Sequence, residues 1–261
     1  MGWLRVGIRG TLLGLWVFGG LALHLTLRLI ERPLFGLDRP WTPTITCTVC
    51  RGAFVILGME FTVLGEPLRS PGAAVANHGS WLDIFALNAP QRIYFVSKAE
   101  VADWPGIGWL ARATGTVFIT RKTKEAADQA REFESRLTAG HHLVFFPEAT
   151  SSDARRVLPF KSTLFAAFFR QPLREALSIQ PISVVYRAPR GADPRFYGWW
   201  GDMDFGPHLL KVLAQTPQGG VTVIYHPALK VSDFADRKAL AAACEEAVRD
   251  GHARLLAEAT E

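Results

Sequence analysis

Ala73-Ala74-Val75-Ala76-Asn77-His78-Gly79-Ser80-Trp81-Leu82-Asp83-Ile84-Phe85-Ala86-Leu87 passes from one short apolar run to another through a polar break. The first four residues read as a strand buried on both faces, because their apolar character is continuous rather than alternating. The run from Ile84 reads as a helix. His78 and Asp83 lie five residues apart, which on a regular helix is about 140° around the axis, so they cannot share a helical face as an i, i+4 pair does. The histidine therefore belongs to the loop before the helix. With Ser80 as N-cap and Asp83 at N3, His78 can fold back and give one ring N–H to the Asp83 carboxylate. Its other nitrogen is then able to take a proton from a hydroxyl. The same residues also read as a plain capping box with a turn histidine.

Further strand-like runs stand at 61–64, 93–97, 116–120, 143–146, 181–186 and 221–225, with helical patterns at 83–88, 124–138 and 160–169. Strands alternating with helices predict an α/β fold, a largely parallel or mixed central sheet flanked by helices. Ligands of such sheets gather at the carboxyl ends of the strands. His78, Arg121 and Glu148 each follow a strand, so blocks distant in sequence can meet at one edge. The tail from Ser232 to Ala259 reads as an amphipathic helix, or a pair broken at Gly251, packed on the sheet without chemistry of its own.

At 261 residues the chain suffices for one such domain and an appendage. The appendage is apolar. Residues 10–23 carry no ionisable group, and only His24 interrupts the tract between Arg9 and Arg28. That length lies between an interfacial segment and a full span, and arginines flank both ends, which favours a helix dipping into one leaflet. No small-x-small cleavage site follows before Arg28, as a signal peptide would require. Residues 1–45 are accordingly expected to form a membrane-associated helical segment and 46–261 the main domain. Pro33, Pro40 and Pro43 mark the connection, and the apolar stretch 52–57, with Met59 and Phe61, offers a second membrane helix.

Lysine and arginine number 29 against 24 acidic residues, a balance suited to anionic lipid headgroups or an acidic protein. The basic residues are dispersed, with Arg121-Lys122-Thr123-Lys124 and Arg155-Arg156 the densest groups, and no nucleic-acid motif accompanies them. Three cysteines do not make a disulfide framework and fit a reducing compartment. Cys47 and Cys50 have metal-ligand spacing but no second half.

Three polar blocks and a proline-led run follow one another: Asn77-His78 to Asp83, Gly115-Thr116-Val117-Phe118-Ile119-Thr120-Arg121, Phe146-Pro147-Glu148-Ala149-Thr150, and Pro181-Ile182. This order resembles the glycerolipid acyltransferases of the lysophosphatidic acid acyltransferase type, over residues 60 to 230 or so. Ala149 stands where that family usually has glycine, so if the position needs positive φ or very close substrate approach, the acceptor pocket is shaped differently here. The resemblance implies His78 as general base for the acceptor hydroxyl, worth about 10² to 10⁴-fold, with Asp83 fixing its tautomer. It implies an acceptor site from Gly115, Phe118, Arg121, Glu148, Ala149 and Thr150. There the Arg121 fork would grip a phosphate or carboxylate. Glu148 would order the Arg121 side or meet an acceptor hydroxyl or amine, Thr150 would add a contact or cap a turn, and Lys161 would extend the anion site or start a helix.

Trp199-Trp200-Gly201-Asp202-Met203 resembles the bacterial branch of the family that acylates lyso-ornithine lipid, and adds Asp202 as a partner for an acceptor ammonium. Asp202, Asp204 and His208 can also be drawn as metal ligands. No metal or cofactor is expected, because acyl transfer from a thioester needs no Lewis acid. The expected partners are an acyl-carrier protein or acyl-CoA donor, a lysolipid acceptor and the membrane surface, without nucleic acid, at the cytoplasmic face of a bacterial inner membrane. Two other readings stand beside this one. One is a thioesterase with Ser80 as nucleophile, which lacks Gly-x-Ser-x-Gly and sets Ser80 only two residues from His78; the other is a non-catalytic lipid-binding protein.

Overall fold

The computed structural model describes residues 2–70, 72–120 and 126–258, with the side chains of 126–130 left out. Helix α1 (Gly2–Phe35) turns into α2 (Thr42–Leu57) and leads to β1 (Glu60–Leu64). Then follow β2 (Gly72–Ala76), α3 (Asp83–Asn88), β3 (Tyr94–Lys98), α4 (Ile107–Thr114), β4 (Val117–Ile119), α5 (Ala126–Thr138) and β5 (His142–Phe145). The chain closes with α6 (Leu173–Ala176), β6 (Ser178–Arg187), α7 (Phe205–Ala214), β7 (Gly220–Tyr225), β8 (Leu229–Lys230) and α8 (Arg237–Glu258).

The strands form one sheet in the order β1-β7-β6-β2-β5-β3-β4, with β8 beside β6. Strands β6, β2, β5, β3 and β4 run parallel, while β7 and β8 run antiparallel to β6. The mixed α/β architecture expected from the alternation is therefore present, and every expected strand has a counterpart. Strand β2, at the centre, is buried throughout. Ala74 and Ala76 join a core with Leu57, Leu82, Ala86 and Val212, whereas Ala73 and Val75 face Phe165, Phe168, Leu240 and Cys244. A strand covered on both faces gains from small apolar side chains on each, which is why its sequence does not alternate.

Four local details refine the expectations, the last by deciding between two alternatives. Pro33 lies inside α1 and Pro43 at the start of α2, so only Pro40 falls in the connection; proline fits the first turn of a helix because no intrahelical partner awaits its missing N–H. The second apolar helix begins at Thr42, and the 45/46 boundary falls within it. The 160–169 pattern forms a 3-10 stretch, Ser162–Phe169, instead of an α-helix. Helix α8 runs unbroken through Gly251.

Helix α1 is long and apolar enough to cross a membrane, and only 17% of its most apolar window is buried. Both of its ends are tied to the body. Arg5 donates to the carbonyl of Ala214, and Arg9 to those of Leu213 and Gln215, at the carboxyl end of α7, where cations complement unpaired carbonyls. At the other end the Glu31 carboxylate accepts the Trp41 and Thr42 N–H groups and the Thr42 hydroxyl, capping α2 from outside. Trp3, Leu4, Leu15, Leu29 and Leu34 point away from the protein.

Candidate active site

Helix α3 begins at Asp83, two residues later than a Ser80 cap would place it, and Leu82 occupies the N-cap without a side-chain bond. Asp83 therefore stands at the first helical position. Its Oδ2 accepts from the backbone N–H groups of Gly79 and Ser80 at 2.9 and 3.0 Å, and from His78 Nδ1 at 2.7 Å. The carboxylate thus closes the turn and orients the imidazole at once, so the capping and catalytic readings coincide in one residue. With Nδ1 against a carboxylate, neutral His78 carries its proton there and its lone pair on Nε2.

The rest of the loop is clamped from the strand beside it. After β5, Phe146 stacks on the His78 ring at 4.1 Å. Glu148 Oε1 accepts the His78 N–H at 2.9 Å, and Ser152 N–H donates to the His78 carbonyl at 2.7 Å. Gly79 passes so close to Ala154 that a Cβ there would lie 2.8 Å from its Cα. Asn77 completes the junction of β2 with β6 through two hydrogen bonds to the Val184 backbone.

Glu148 sits deeper than expected. It is buried, and its second oxygen accepts the Leu158 N–H at 3.1 Å, so both of its oxygens are engaged by backbone N–H groups and it braces the loop that carries His78. Burial pushes its carboxyl up to about 8 against the pull of the two N–H donors. Ala149 adopts φ 60, the left-handed conformation that glycine would take without strain. Thr150 is exposed. Gly115 lies at the amino end of β4 as the left-handed cap of α4, and its carbonyl accepts from Arg136. Phe118 is half-buried on β4, opposite Ser97. Arg121 lies outside the described residues.

Sequence reasoning missed Tyr186. From β6 its hydroxyl donates to Asp83 Oδ1 at 2.5 Å, and burial together with the Asp83 charge pushes the phenol far above its ordinary range. A tyrosine at the end of the largely apolar run 181–186 was the available signal, since a buried phenol usually finds a partner. Ser80 is also buried, with its oxygen taking the Leu82 N–H at 3.3 Å. No hydrogen bond links it to the His78 ring among the described residues, which removes the basis for a Ser80 nucleophile.

His78 opens onto a cavity of about 500 Å³ between α1, α2 and the sheet. Leu13, Gly14, Val17, Phe85, Phe95 and Leu110 are among its walls, and no Lys, Arg, Asp or Glu lines it among the described residues. Trp199 and Phe205 flank the His78 end. Asp202 and Asp204 are exposed beyond them, whereas His208 is buried with Nδ1 accepting the Trp81 indole N–H at 2.9 Å. Burial lowers His208 to about 4. That bond makes His208 a support for Trp81 in the loop after His78.

A family model described as Acyltransferase matches residues 60–185. The chain is 60% identical over 247 residues to the lyso-ornithine lipid O-acyltransferase of Rhodobacter capsulatus, covering 95% of this chain and 90% of that one. It is 34% identical to the protein of the same name from Pseudomonas aeruginosa, over 94% of this chain and 93% of the other. The fold is that of the crystal structure of the 1-acyl-sn-glycerophosphate acyltransferase PlsC from Thermotoga maritima, with TM-score 0.64, 22% identity and coverage of 97% and 98%.

Proposed function

The chain belongs to the acyltransferase family, and on that premise we propose that it transfers a fatty acyl group from a thioester to the free hydroxyl of lyso-ornithine lipid in bacterial membrane lipid synthesis. One observation carries the mechanism: His78, held by Asp83 at 2.7 Å, faces a cavity walled by apolar side chains. Nε2 removes the acceptor hydroxyl proton as its oxygen attacks the thioester carbonyl. Asp83 stabilises the imidazolium, and the tetrahedral intermediate collapses with loss of thiolate, which takes a proton. No residue of the protein needs to carry the acyl group.

The apolar cavity suits an acyl chain, whose burial there stabilises by roughly 0.8 kcal/mol per CH₂. Arg121 is proposed to grip the acceptor carboxylate, or the phosphate of lysophosphatidic acid as a second acceptor. The donor is an acyl-carrier protein or acyl-CoA. Because both ends of α1 are bonded to the same body while its outer face is apolar, the helix is proposed to lie in one leaflet at the cytoplasmic face of the inner membrane rather than to span it. The test is incubation of the purified protein with a labelled acyl thioester and a panel of lysolipids, followed by mass analysis. Release of free fatty acid without any diacyl product would defeat the reading.

A further inference from the structure

The cavity that opens at His78 supplies no charged side chain among the described residues, so an acceptor headgroup must find its partners at the mouth. Two indoles stand there. Trp199 is joined to the catalytic loop, its backbone N–H donating to the Gly79 carbonyl at 2.9 Å, one residue from His78. Trp104 comes from the segment before α4, lines the same cavity, and meets Trp199 edge to face with ring centroids 6.3 Å apart. Trp104 is 42% exposed.

The Trp199 indole N–H is already occupied, donating to the Met203 carbonyl at 2.8 Å. That bond fixes the ring and leaves its π-face as the remaining means of attraction. It also curls residues 199–203 into a turn that leaves Asp202, three residues after Trp199, exposed to solvent. Asp202 and Asp204 form no salt bridge with any described residue. An indole face carries negative potential and attracts an ammonium, and a nearby carboxylate reinforces that attraction. Neither group attracts a phosphate.

We propose that Trp104 and Trp199 form an ammonium subsite at the cavity mouth, backed by Asp202, which selects acceptors bearing a free amine next to the lipid chains. The proposal rests on the lysolipid acyltransferase reading above and assigns to it the recognition of the headgroup cation. Because the Trp199 backbone is bonded to Gly79, the residue after His78, an acceptor with its hydroxyl at Nε2 is proposed to lay its polar end on the Trp199 side.

The experiment uses the full-length protein in neutral detergent micelles with an acyl thioester and three acceptors: lyso-ornithine lipid, the same lipid with its amine acetylated, and lysophosphatidic acid. Acetylation is expected to lower kcat/KM about tenfold in the wild type. Trp104→Leu is expected to raise KM for the free amine about tenfold more than for the other two acceptors, which share any effect of the altered cavity wall, with Trp104→Phe intermediate. Asp202→Asn should move in the same direction, more weakly. Thermal melts of each variant check folding. If the acetylated lipid serves as well as the free amine, or if Trp104→Leu depresses all three acceptors equally, the pair is a membrane anchor or a cavity wall and the subsite is overturned. If lyso-ornithine lipid is not acylated at all while lysophosphatidic acid is, the acceptor assignment itself has failed and the subsite falls with it.

Discussion

The hydroxyl of Tyr186, near the end of β6, donates to Oδ1 of Asp83 at 2.5 Å while Oδ2 of the same carboxylate orients His78. The residue that aims the base is therefore itself aimed from a strand 103 positions further along the chain. Tyr186→Phe should leave KM nearly unchanged and lower kcat by about tenfold or less, since it loosens the carboxylate without removing the base. Rates equal to wild type would mean that the backbone donors of Gly79 and Ser80 suffice to hold Asp83.

Loss of the base is a larger perturbation. His78→Ala should reduce kcat by roughly two to four orders of magnitude with an unchanged melting temperature, and Asp83→Asn should do so more mildly. Steady-state rates with a lysolipid acceptor check both; near-normal turnover in the two variants would remove His78 from the chemistry.

At Ala149 the left-handed backbone, φ 60, costs about 1 kcal/mol or more for a residue with a Cβ. Glycine would relieve that strain but add unfolded-state entropy of about 0.4–1 kcal/mol. Ala149→Gly is expected to be neutral or stabilising by up to about 1 kcal/mol, a rise of a few degrees in Tm at this chain length. A clear drop in Tm would show that the methyl group packs usefully and that the strain is not relieved.

Glu148 gives a pH signature. Its folded carboxyl is raised to about 8 from an ordinary value of 4.5, so the folded state holds a proton that the unfolded chain releases between those values. The stability it contributes is present below pH 4.5 and is lost as pH rises toward 8. Gln cannot titrate, but its amide NH₂ confronts one of the two N–H donors that the carboxyl oxygens now satisfy, which costs about 1–3 kcal/mol. Glu148→Gln should therefore be less stable than wild type at pH 5, with the gap narrowing toward pH 9. Denaturant melts at both pH values measure this, and a gap that widened with pH would contradict the assignment.

Gly14 of α1 lines the cavity, and a Cβ placed there meets nothing within 4 Å. Gly14→Leu should fill part of that space and lower kcat/KM for long-chain thioesters at least about tenfold, with a smaller effect on short-chain donors. Equal losses for all chain lengths would place the acyl chain elsewhere.

The sequence by itself carried the long strands and the pairing of His78 with Asp83, though not helices α4 and α7. Strand burial, helix period and a five-residue reach across a loop are local constraints, set by backbone sterics and by the span of one hydrogen bond. It also carried the condition that Ala149, in the place of a glycine, would be under strain if φ were positive. Which buried polar groups meet across long separations followed from how the strands are ordered in the sheet. Glu148, 70 residues from His78 along the chain, could have faced a substrate or the core, and the adjacency of β2 and β5 sent it to the His78 backbone. The same sheet order carried Tyr186 to Asp83 and left Gly115 at the opposite end of β4 as a helix cap. Helix α1 read as a membrane segment on its composition, yet its inner face is the wall of the cavity at His78. Hydropathy records how apolar a segment is, whereas the partner that covers each face follows from how the helices pack.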